Sequence, residues 1–309
     1  MSHFIKLFAL CLLISPGILL QAQQPSFKDR LYVEADVHYG FVMPHISPIA
    51  YFITDHVKGF QLNVGIHTFG DKKWQQYYNY PRLGIGFYHS GLGNNEVFGQ
   101  VNALFGYMDR YFFRADRRFN IGNRLAFGMA YINKKYDLRE NYFDVAIGSH
   151  VNVYINYSLE GLIRLSPVTQ IKLGLGMMHV SNGRFKEPNK GLNLITTFVG
   201  LQYSFHNPGT SIVAEPKETD EPGRNQLMIA CSMGKKQISR KYDYSYTPTA
   251  LSLEYARKVS RTSWIGMAFT TYYDPSLKKE IEMKKSITGL DFALLYPNLI
   301  MTYNLFSDK

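Results

Sequence analysis

Residue types that could catalyse acyl transfer stand close together in the segment GLGMMHVSNGRFKEPNKGLNL, near the middle of the chain. If this segment begins as a strand, His179 and Ser181 share one face with Leu175 and Met177, because side chains alternate between the two faces. Same-face neighbours lie roughly 6.6 Å apart, a gap that an imidazole can span to reach a hydroxyl. A returning strand can place Asn193 beside the histidine. Nucleophile, base and orienting group form the set that acyl transfer requires.

The elements that must hold these residues are short strands with a period of two. Eight such runs, each with one apolar face and one polar or small face, lie at about 31–43, 57–68, 82–90, 97–108, 119–132, 150–164, 169–180 and 193–205. Together with 23 Tyr and 21 Phe, these runs are typical of outer-membrane barrels. Eight is the smallest common closed barrel. We therefore predict an all-β fold, an antiparallel transmembrane outer-membrane β-barrel.

A soluble β-sandwich is the alternative fold. Contact with solvent would explain one polar face on every strand. It explains less well why the apolar faces are so consistently aromatic without a second sheet to cover them. A closed barrel satisfies every backbone group inside a bilayer, and we favour it over the sandwich.

Parity along the strands predicts where the site residues lie on the barrel. If the mature N-terminus is periplasmic, the seventh strand reaches the cell surface at His179, with His179 and Ser181 on the lipid-facing side. Asn193 shares the outward parity of Ile195 and Val199 on the eighth strand. Strand ends near the membrane interface do tolerate polar residues, since a charge costs about 0–1 kcal/mol there against roughly 2–4 at the midplane. That simpler explanation suits each residue alone, but it does not explain their convergence.

The N-terminal segment predicts export. Residues 1–22 begin with MSHFIK, continue with an interrupted apolar run and end in Ala22, which is the pattern of a cleaved signal peptide. The run falls short of the roughly 20 residues that a membrane-spanning helix needs. Cys231 would be the one cysteine of the mature chain, which excludes an intramolecular disulfide framework.

The formal net charge of +10 favours an anionic partner, either a polymer or a membrane surface. We do not expect nucleic acid, because the basic residues are scattered among loops instead of clustering on one face. The histidines outside the central segment lack ligand spacing, so we expect no metal and no other cofactor.

The C-terminal part differs in composition from the rest. Residues 207–223 contain proline, glycine and acidic residues, as linkers do. Residues 224–309 contain further alternating runs. Bacterial single-chain barrels have an even number of strands, so we expect four extra strands to enlarge the barrel to about twelve. An eight-stranded barrel with an appendage is the alternative.

A family resemblance rests on the central segment. His179, Ser181, Asn182 and Gly183, followed by PNKG at residues 188–191, resemble the signature of the lipid A 3-O-deacylase (PagL-like, acyloxyacyl hydrolase) family. The stretches NYPRLGIGF and AIGSHVN also resemble that family, so the resemblance covers about residues 30–206 and implies a deacylase region at 23–206. It implies an eight-stranded outer-membrane barrel with a serine esterase site on its outer wall, acting on lipid A of lipopolysaccharide.

The resemblance also implies a role for each matching residue. Ser181 would be the nucleophile and His179 the general base, while Asn182 and the backbone N–H groups around Gly183 would receive the oxyanion. Three further residues would shape the loop, namely Pro188, Asn189 and Gly191. Basic residues on the outer loops could bind lipid A phosphates, although they are equally well explained as solvent-exposed loop charges. The basic residues are Lys134, Lys135, Arg184, Lys186 and Lys190.

One residue departs from the family pattern. The family's third catalytic residue is a glutamate, whereas the corresponding position here is Asn193. An amide oxygen can accept the imidazole N–H, but it cannot offset the imidazolium charge, so we expect weaker activity or an acid from elsewhere. Glu187 on the connecting loop is the alternative acid.

Two functional classes follow from the sequence. The first is an outer-membrane carboxylic ester hydrolase that removes an ester-linked acyl chain from lipid A. The second is a non-enzymatic outer-membrane barrel, either a narrow pore or a structural or adhesion protein.

Overall fold

Alternating apolar and polar residues form the eight long strands of this protein. In this computed structural model, the structure describes residues 26–113, 117–210, 224–239, 244–260, 263–288, 299–300 and 307–308. The long strands are β1 (Leu31–Val42), β2 (Val57–Ile66), β3 (Arg82–Gly91), β4 (Gln100–Tyr111), β5 (Phe119–Ile132), β6 (Val151–Arg164), β7 (Thr169–Ser181) and β8 (Leu192–Ser204). The predicted signal peptide at 1–22 and residues 211–223 of the predicted linker lie outside the described residues.

The eight strands form a closed barrel. Each strand pairs antiparallel with the next, and β1 also pairs with β8, from Tyr32–Ser204 to Val42–Leu194. The predicted all-β antiparallel barrel of eight strands is confirmed. The predicted enlargement to about twelve strands is wrong, because the pairing of β1 with β8 occupies both edges that extra strands would need.

The two faces of the barrel wall differ as their sequence alternation requires. The outer wall is apolar, and Ile85 and Leu104 on it are 63% and 65% exposed. The interior holds a buried ion network. Arg124 contacts Glu34 at 2.9 Å and Asp109 at 2.6 Å, while Lys172 contacts Glu34 at 2.6 Å. Removing one member of such a network leaves an uncompensated buried charge, which destabilises a fold strongly. The oppositely charged side chains inside the barrel are thus in contact with one another and contribute to its packing.

The C-terminal strands form separate sheets. β9 (Asn225–Met233), β12 (Thr249–Lys258) and β13 (Ser263–Tyr273) pair in the order β13-β12-β9, and β14 (Leu299–Ile300) and β15 (Ser307–Asp308) pair with β13. β10 (Lys236–Gln237) and β11 (Ser245–Tyr246) pair with each other. The helices are α1 (Phe27–Arg30), α2 (Ser47–Tyr51), α3 (Lys73–Tyr77) and α4 (Leu277–Thr288).

None of the helices in the described ranges has the length and apolar character needed to cross a membrane.

Four connections meet at the end of the barrel where β7 ends, which we call the Ser181 end. They are residues 43–56, 92–99, 133–150 and 182–191. The last one, which we call the site loop, joins β7 to β8 and follows directly after Ser181. The barrel thus brings the segment singled out in the sequence and the loop 133–150 to the same end.

Candidate active site

His179, Ser181 and Asn193 form one line of hydrogen bonds. His179 and Asn193 are directly opposite each other in the β7–β8 pairing. Nδ1 of His179 lies 2.7 Å from Oδ1 of Asn193, and Nε2 of His179 lies 2.8 Å from Oγ of Ser181. With Nδ1–H donating to the amide oxygen, Nε2 is free to accept the serine proton. This is the arrangement of nucleophile, base and orienting group that acyl transfer needs.

The line of three residues lies on the outer wall of the barrel. His179 follows the parity of Leu175 and Met177, which are 50% and 46% exposed, and its partner on β6 is the exposed Ile155. The neighbouring residues of opposite parity, Met178 and Val180, are fully buried. The site therefore opens away from the barrel interior, beside an aliphatic surface.

Asn182 holds the shape of the site loop. Its Nδ2 donates to Oγ of Ser149 and to the carbonyl oxygen of Lys186, both at 2.9 Å. Its backbone N–H donates to Oδ1 of Asn189 at 2.9 Å. Both amide hydrogens of Asn182 thus have partners within the two loops, and its oxyanion role stays a prediction. Asn189 thus contacts the start of the site loop, and its loop-shaping role stays a prediction.

The two glycines of the site loop have different surroundings. Gly183 has φ +64° with open space around it, and its backbone N–H donates to no residue in the described ranges. Gly191 has φ +72°, and a methyl group there would lie 2.9 Å from Cε1 of His179 and 3.1 Å from Cβ of Ser181. Gly191 therefore lets the returning chain pass directly against the site, whereas Gly183 presents a donor at its edge.

Residues 144–149 of the preceding loop support the site loop from behind. The backbone N–H of Gly191 donates to the carbonyl oxygen of Ala146 at 3.0 Å, and the buried Pro188 places its carbonyl oxygen against Gly148. Oδ1 of Asp144 accepts the N–H groups of Ala146 and Ile147. Burial raises the pKa of Asp144 to about 7, although the hydrogen bonds from the two N–H groups act in the opposite direction and lower it. The stretch AIGSHVN thus packs directly on the site.

Glu187 does not contact His179. Its Oε1 accepts from Nε of Arg184 at 2.7 Å, and its backbone N–H donates to Oε1 of Gln237 at 2.7 Å. Nδ1 of His179 is already occupied by Asn193. The geometry therefore favours Asn193 over Glu187 as the orienting group.

The five basic residues predicted on outer loops all lie on the connections 133–150 and 182–191 at the Ser181 end.

Two contacts of the site were not predicted from the sequence. Nδ2 of Asn193 lies 3.3 Å from Nδ1 of His45, an exposed residue of the β1–β2 connection. The buried Gln237 donates its backbone N–H to the carbonyl oxygen of Arg184 at 2.9 Å, in addition to its bond from Glu187. Nothing in the local sequence around residues 45 or 237 signals these contacts, because each one joins segments far apart in the chain.

No group of three or more His, Cys, Asp or Glu residues with metal-binding geometry occurs in the part of the chain that the structure describes.

Comparison with known proteins finds one family that matches most of the barrel. The sequence model of the lipid A 3-O-deacylase (PagL) family matches residues 58–202, which include His179, Ser181 and Asn193. The resemblance found in the sequence is thereby confirmed for that part of the chain. No curated protein matches the chain.

Several solved outer-membrane structures are similar. Neisserial surface protein A has 12% identity, covering 56% of this chain and 96% of that one, with a TM-score of 0.36. The outer membrane enzyme PagL has 15% identity, covering 54% and 97%, with a TM-score of 0.35. The N-terminal β-barrel domain of Pseudomonas aeruginosa OprF has 10% identity, covering 56% and 97%, with a TM-score of 0.32.

Proposed function

We propose that this chain, whose residues 58–202 match the lipid A 3-O-deacylase family, is an outer-membrane serine esterase that removes an ester-linked acyl chain from lipid A. The observation that carries the proposal is the hydrogen-bonded line Ser181–His179–Asn193 on the outer wall of the barrel. The family match supports the substrate, and the line of side chains supports the reaction type.

The first half of the reaction forms an acyl-enzyme. Oγ of Ser181 attacks the carbonyl carbon of the ester while Nε2 of His179 takes its proton. The oxyanion of the tetrahedral intermediate is received by the backbone N–H of Gly183, a contact whose loss typically costs about 2.7–4 kcal/mol. The intermediate then collapses, the C–O bond to the sugar breaks, and the leaving sugar oxygen takes the proton from Nε2.

The second half releases the fatty acid. A water molecule gives its proton to Nε2 of His179 and attacks the acyl carbon, and the Ser181 oxygen leaves with the proton that Nε2 returns. Oδ1 of Asn193 accepts the Nδ1–H throughout and fixes the ring. A neutral amide stabilises the imidazolium less than a carboxylate would, so we infer a lower rate than a glutamate at this position would give.

The position of the site suits a lipid substrate. In an outer-membrane barrel the outer wall contacts acyl chains, and a site at a strand end lies at the level of the headgroups. Leu175, Met177 and Ile155 provide an apolar surface beside the nucleophile for the chain that is cleaved. The basic residues on the two adjoining loops supply charge for the phosphates, and the outer membrane is where this substrate is found.

A non-enzymatic barrel is the second candidate. A pore would need a water-filled interior, whereas this barrel interior holds Arg124 and Lys172 fully buried in contact with carboxylates. That observation favours the enzyme over a pore. A structural or adhesion role would not require the hydrogen-bonded line at the outer wall.

The test uses cells whose lipid A carries 3-O-linked acyl chains and that express wild type, Ser181→Ala or His179→Ala. The lipid A of each strain is measured by mass spectrometry. We expect wild type to remove one primary acyl chain and both variants to leave lipid A intact. The variants should retain heat-modifiable gel mobility, because both side chains lie outside the packed interior. Intact lipid A with folded wild type in the membrane would refute the proposal and favour a non-enzymatic barrel.

A further inference from the structure

The strands of the C-terminal sheet have the length of membrane-crossing strands. β9, β12 and β13 contain 9, 10 and 11 residues. A transmembrane strand needs about 9–11 residues. The three strands pair along nearly their full length, from Asn225–Arg257 to Met233–Thr249 on one side of β12 and from Lys258–Trp264 to Thr249–Tyr273 on the other.

One face of this sheet is apolar and uncovered. Ile229, Leu253 and Phe269 form one cross-strand row, and they are 70%, 48% and 46% exposed. The same face carries further exposed apolar side chains, namely Leu227, Met233, Leu251, Tyr255, Ile265 and Met267. Soluble proteins rarely expose contiguous apolar patches larger than a few hundred Å². This face therefore requires an apolar environment.

The opposite face is mostly polar or small between its ends, although it also carries Met228, Trp264 and Tyr272. Ser252 and Thr270 share a hydrogen bond of 2.8 Å there, and Glu254 and Ala268 are directly paired beside them. Alternation between an exposed apolar face and a face of mainly small and polar residues is also the pattern of β1–β8 in the barrel. It distinguishes this sheet from a core sheet of a soluble domain, which would bury its apolar side.

Aromatic and basic residues stand at the two ends of the sheet. Lys258 lies over the ring of Trp264 at 6.0 Å at one end, and Tyr272 and Tyr273 are exposed at the other. Aromatic residues gather at both interfaces of membrane barrels, and lysines extend from strand ends to the aqueous phase. The apolar rows lie between these ends, as a hydrocarbon layer would require.

Contacts with the barrel set the level of the sheet. β8 ends at the opposite end of the barrel from Ser181, whereas Gln237, just after β9, is hydrogen-bonded to the site loop. The end of the sheet with Met233 and Tyr273 thus lies near the Ser181 end.

We propose that the apolar face of the C-terminal sheet is a second membrane surface, in contact with the acyl chains of the same bilayer that holds the barrel. The residues that would contact lipid are those of the exposed rows around Ile229, Leu253 and Phe269. β9 has no strand partner on its other edge in the described ranges. Since backbone groups in hydrocarbon must be paired, that edge needs a hydrogen-bonding partner in the bilayer.

Cys231 provides a probe on this face without a new side chain. It lies exposed on the apolar side of β9, opposite Leu251. In a Cys11→Ser background, Cys231 is the one cysteine, and a nitroxide spin label can be attached to it. The full chain is then reconstituted into dioleoyl-phosphatidylcholine vesicles, where the label reports on its surroundings. The matched control adds Cys231→Ser and Ser232→Cys, which moves the label by one residue to the opposite face.

We expect the label at residue 231 to collide readily with oxygen and poorly with a water-soluble nickel chelate. The ratio of oxygen accessibility to nickel-chelate accessibility should be several-fold lower for the label at residue 232. Ready collision of the residue 231 label with the nickel chelate would place the face in water and overturn the proposal. Poor collision with both reagents would place the face against protein, such as a second copy of the chain, and would also overturn it. The measurement does not depend on deacylase activity.

Discussion

Oδ1 of Asn193 lies 2.7 Å from Nδ1 of His179, at a position where the family resemblance led us to expect a carboxylate. The contact fixes the histidine ring so that Nε2 faces Ser181. Oxygen and nitrogen of an amide are assigned from the hydrogen-bond network, and here the network is consistent, because Nδ2 of Asn193 points to His45 instead. The orientation of a single amide thus decides whether His179 has an acceptor.

Substitutions at Asn193 should change the deacylation rate according to the acceptor they provide. Asn193→Ala should lower the rate on the order of ten- to a hundredfold, less than His179→Ala, because the base remains but loses its orientation. Asn193→Glu should keep or raise the rate, since a carboxylate accepts the N–H and also stabilises the imidazolium. Release of fatty acid from lipid A in detergent measures both effects.

Glu187→Ala is the matched control for Asn193, since it removes a carboxylate of the site loop that contacts Arg184. We expect it to retain most of the activity. An inactive Glu187→Ala beside a fully active Asn193→Ala would show that the acid comes from the loop.

His45 should act through the amide of Asn193. In the wild type, His45→Ala removes the acceptor of Nδ2, so the amide can turn, and the rate should fall about two- to tenfold, the value of one hydrogen bond. In an Asn193→Asp background the same change should have little effect, because either carboxylate oxygen can accept from His179. A double-mutant cycle on the rate measures this coupling.

An equal loss from His45→Ala in both backgrounds would show that His45 supports the loop only, and would rule out its effect on the amide.

Gly191→Ala should lower the rate sharply. The added methyl group would lie 2.9 Å from Cε1 of His179 and 3.1 Å from Cβ of Ser181, so one of them must move. Misplacement by about 1 Å can cost a hundredfold. Gly183→Ala has the same left-handed backbone but open space, so it isolates the cost of strain. Comparable kcat losses in the two variants would mean that crowding at Gly191 is unimportant.

Gln237 should keep the site loop ordered from outside the family region. Gln237→Ala leaves the N–H of Glu187 without its acceptor, and we expect kcat to fall about three- to tenfold, with faster amide exchange in residues 182–191. Gln237→Glu keeps an acceptor oxygen and should restore most of the rate. Gln226→Ala, at the far end of β9, serves as the control. Unchanged exchange in Gln237→Ala would contradict this role.

Asp144 should make the stability of the protein depend on pH. Its folded pKa of about 7 lies above its ordinary value of 3.8, so the folded state binds the proton more tightly. The stability from this group is present below about pH 4 and is lost as the pH rises to about 7. Asp144→Asn keeps the acceptor for Ala146 and Ile147 and should raise the urea midpoint at pH 8 but not at pH 4. An equal shift at both pH values would exclude ionisation as the cause.

Much of the fold follows from local pattern. A period of two fixes which side of each strand is apolar, whatever the rest of the chain does. For this reason the sequence predicted the eight strands and the outward-facing side chains of His179, Ser181 and Asn193. It also predicted that His179 and Ser181 are neighbours on one face of the same strand. The amide at position 193 was equally visible, since it is a matter of residue type at one position.

Other features depend on which distant segments meet. The sequence pattern of β9, β12 and β13 is the same whether they extend the barrel or form a separate sheet, and the pairing of β1 with β8 decides between these. The contacts of Asn182 were not indicated by the sequence, because one of its amide hydrogens has its partner in Ser149, far away in the chain, and the other in the carbonyl of Lys186.

The sequence by itself determined the strands, their faces and the residue types of the candidate site, because these depend on residue type and on spacing within one or two elements. The tertiary structure alone decided the closure at eight strands and the contacts of Asn193 with His45 and of Glu187 with Gln237. Hydrogen-bond partners far apart in the chain are chosen by how loops pack at one end of the barrel, and no period in the sequence encodes that choice.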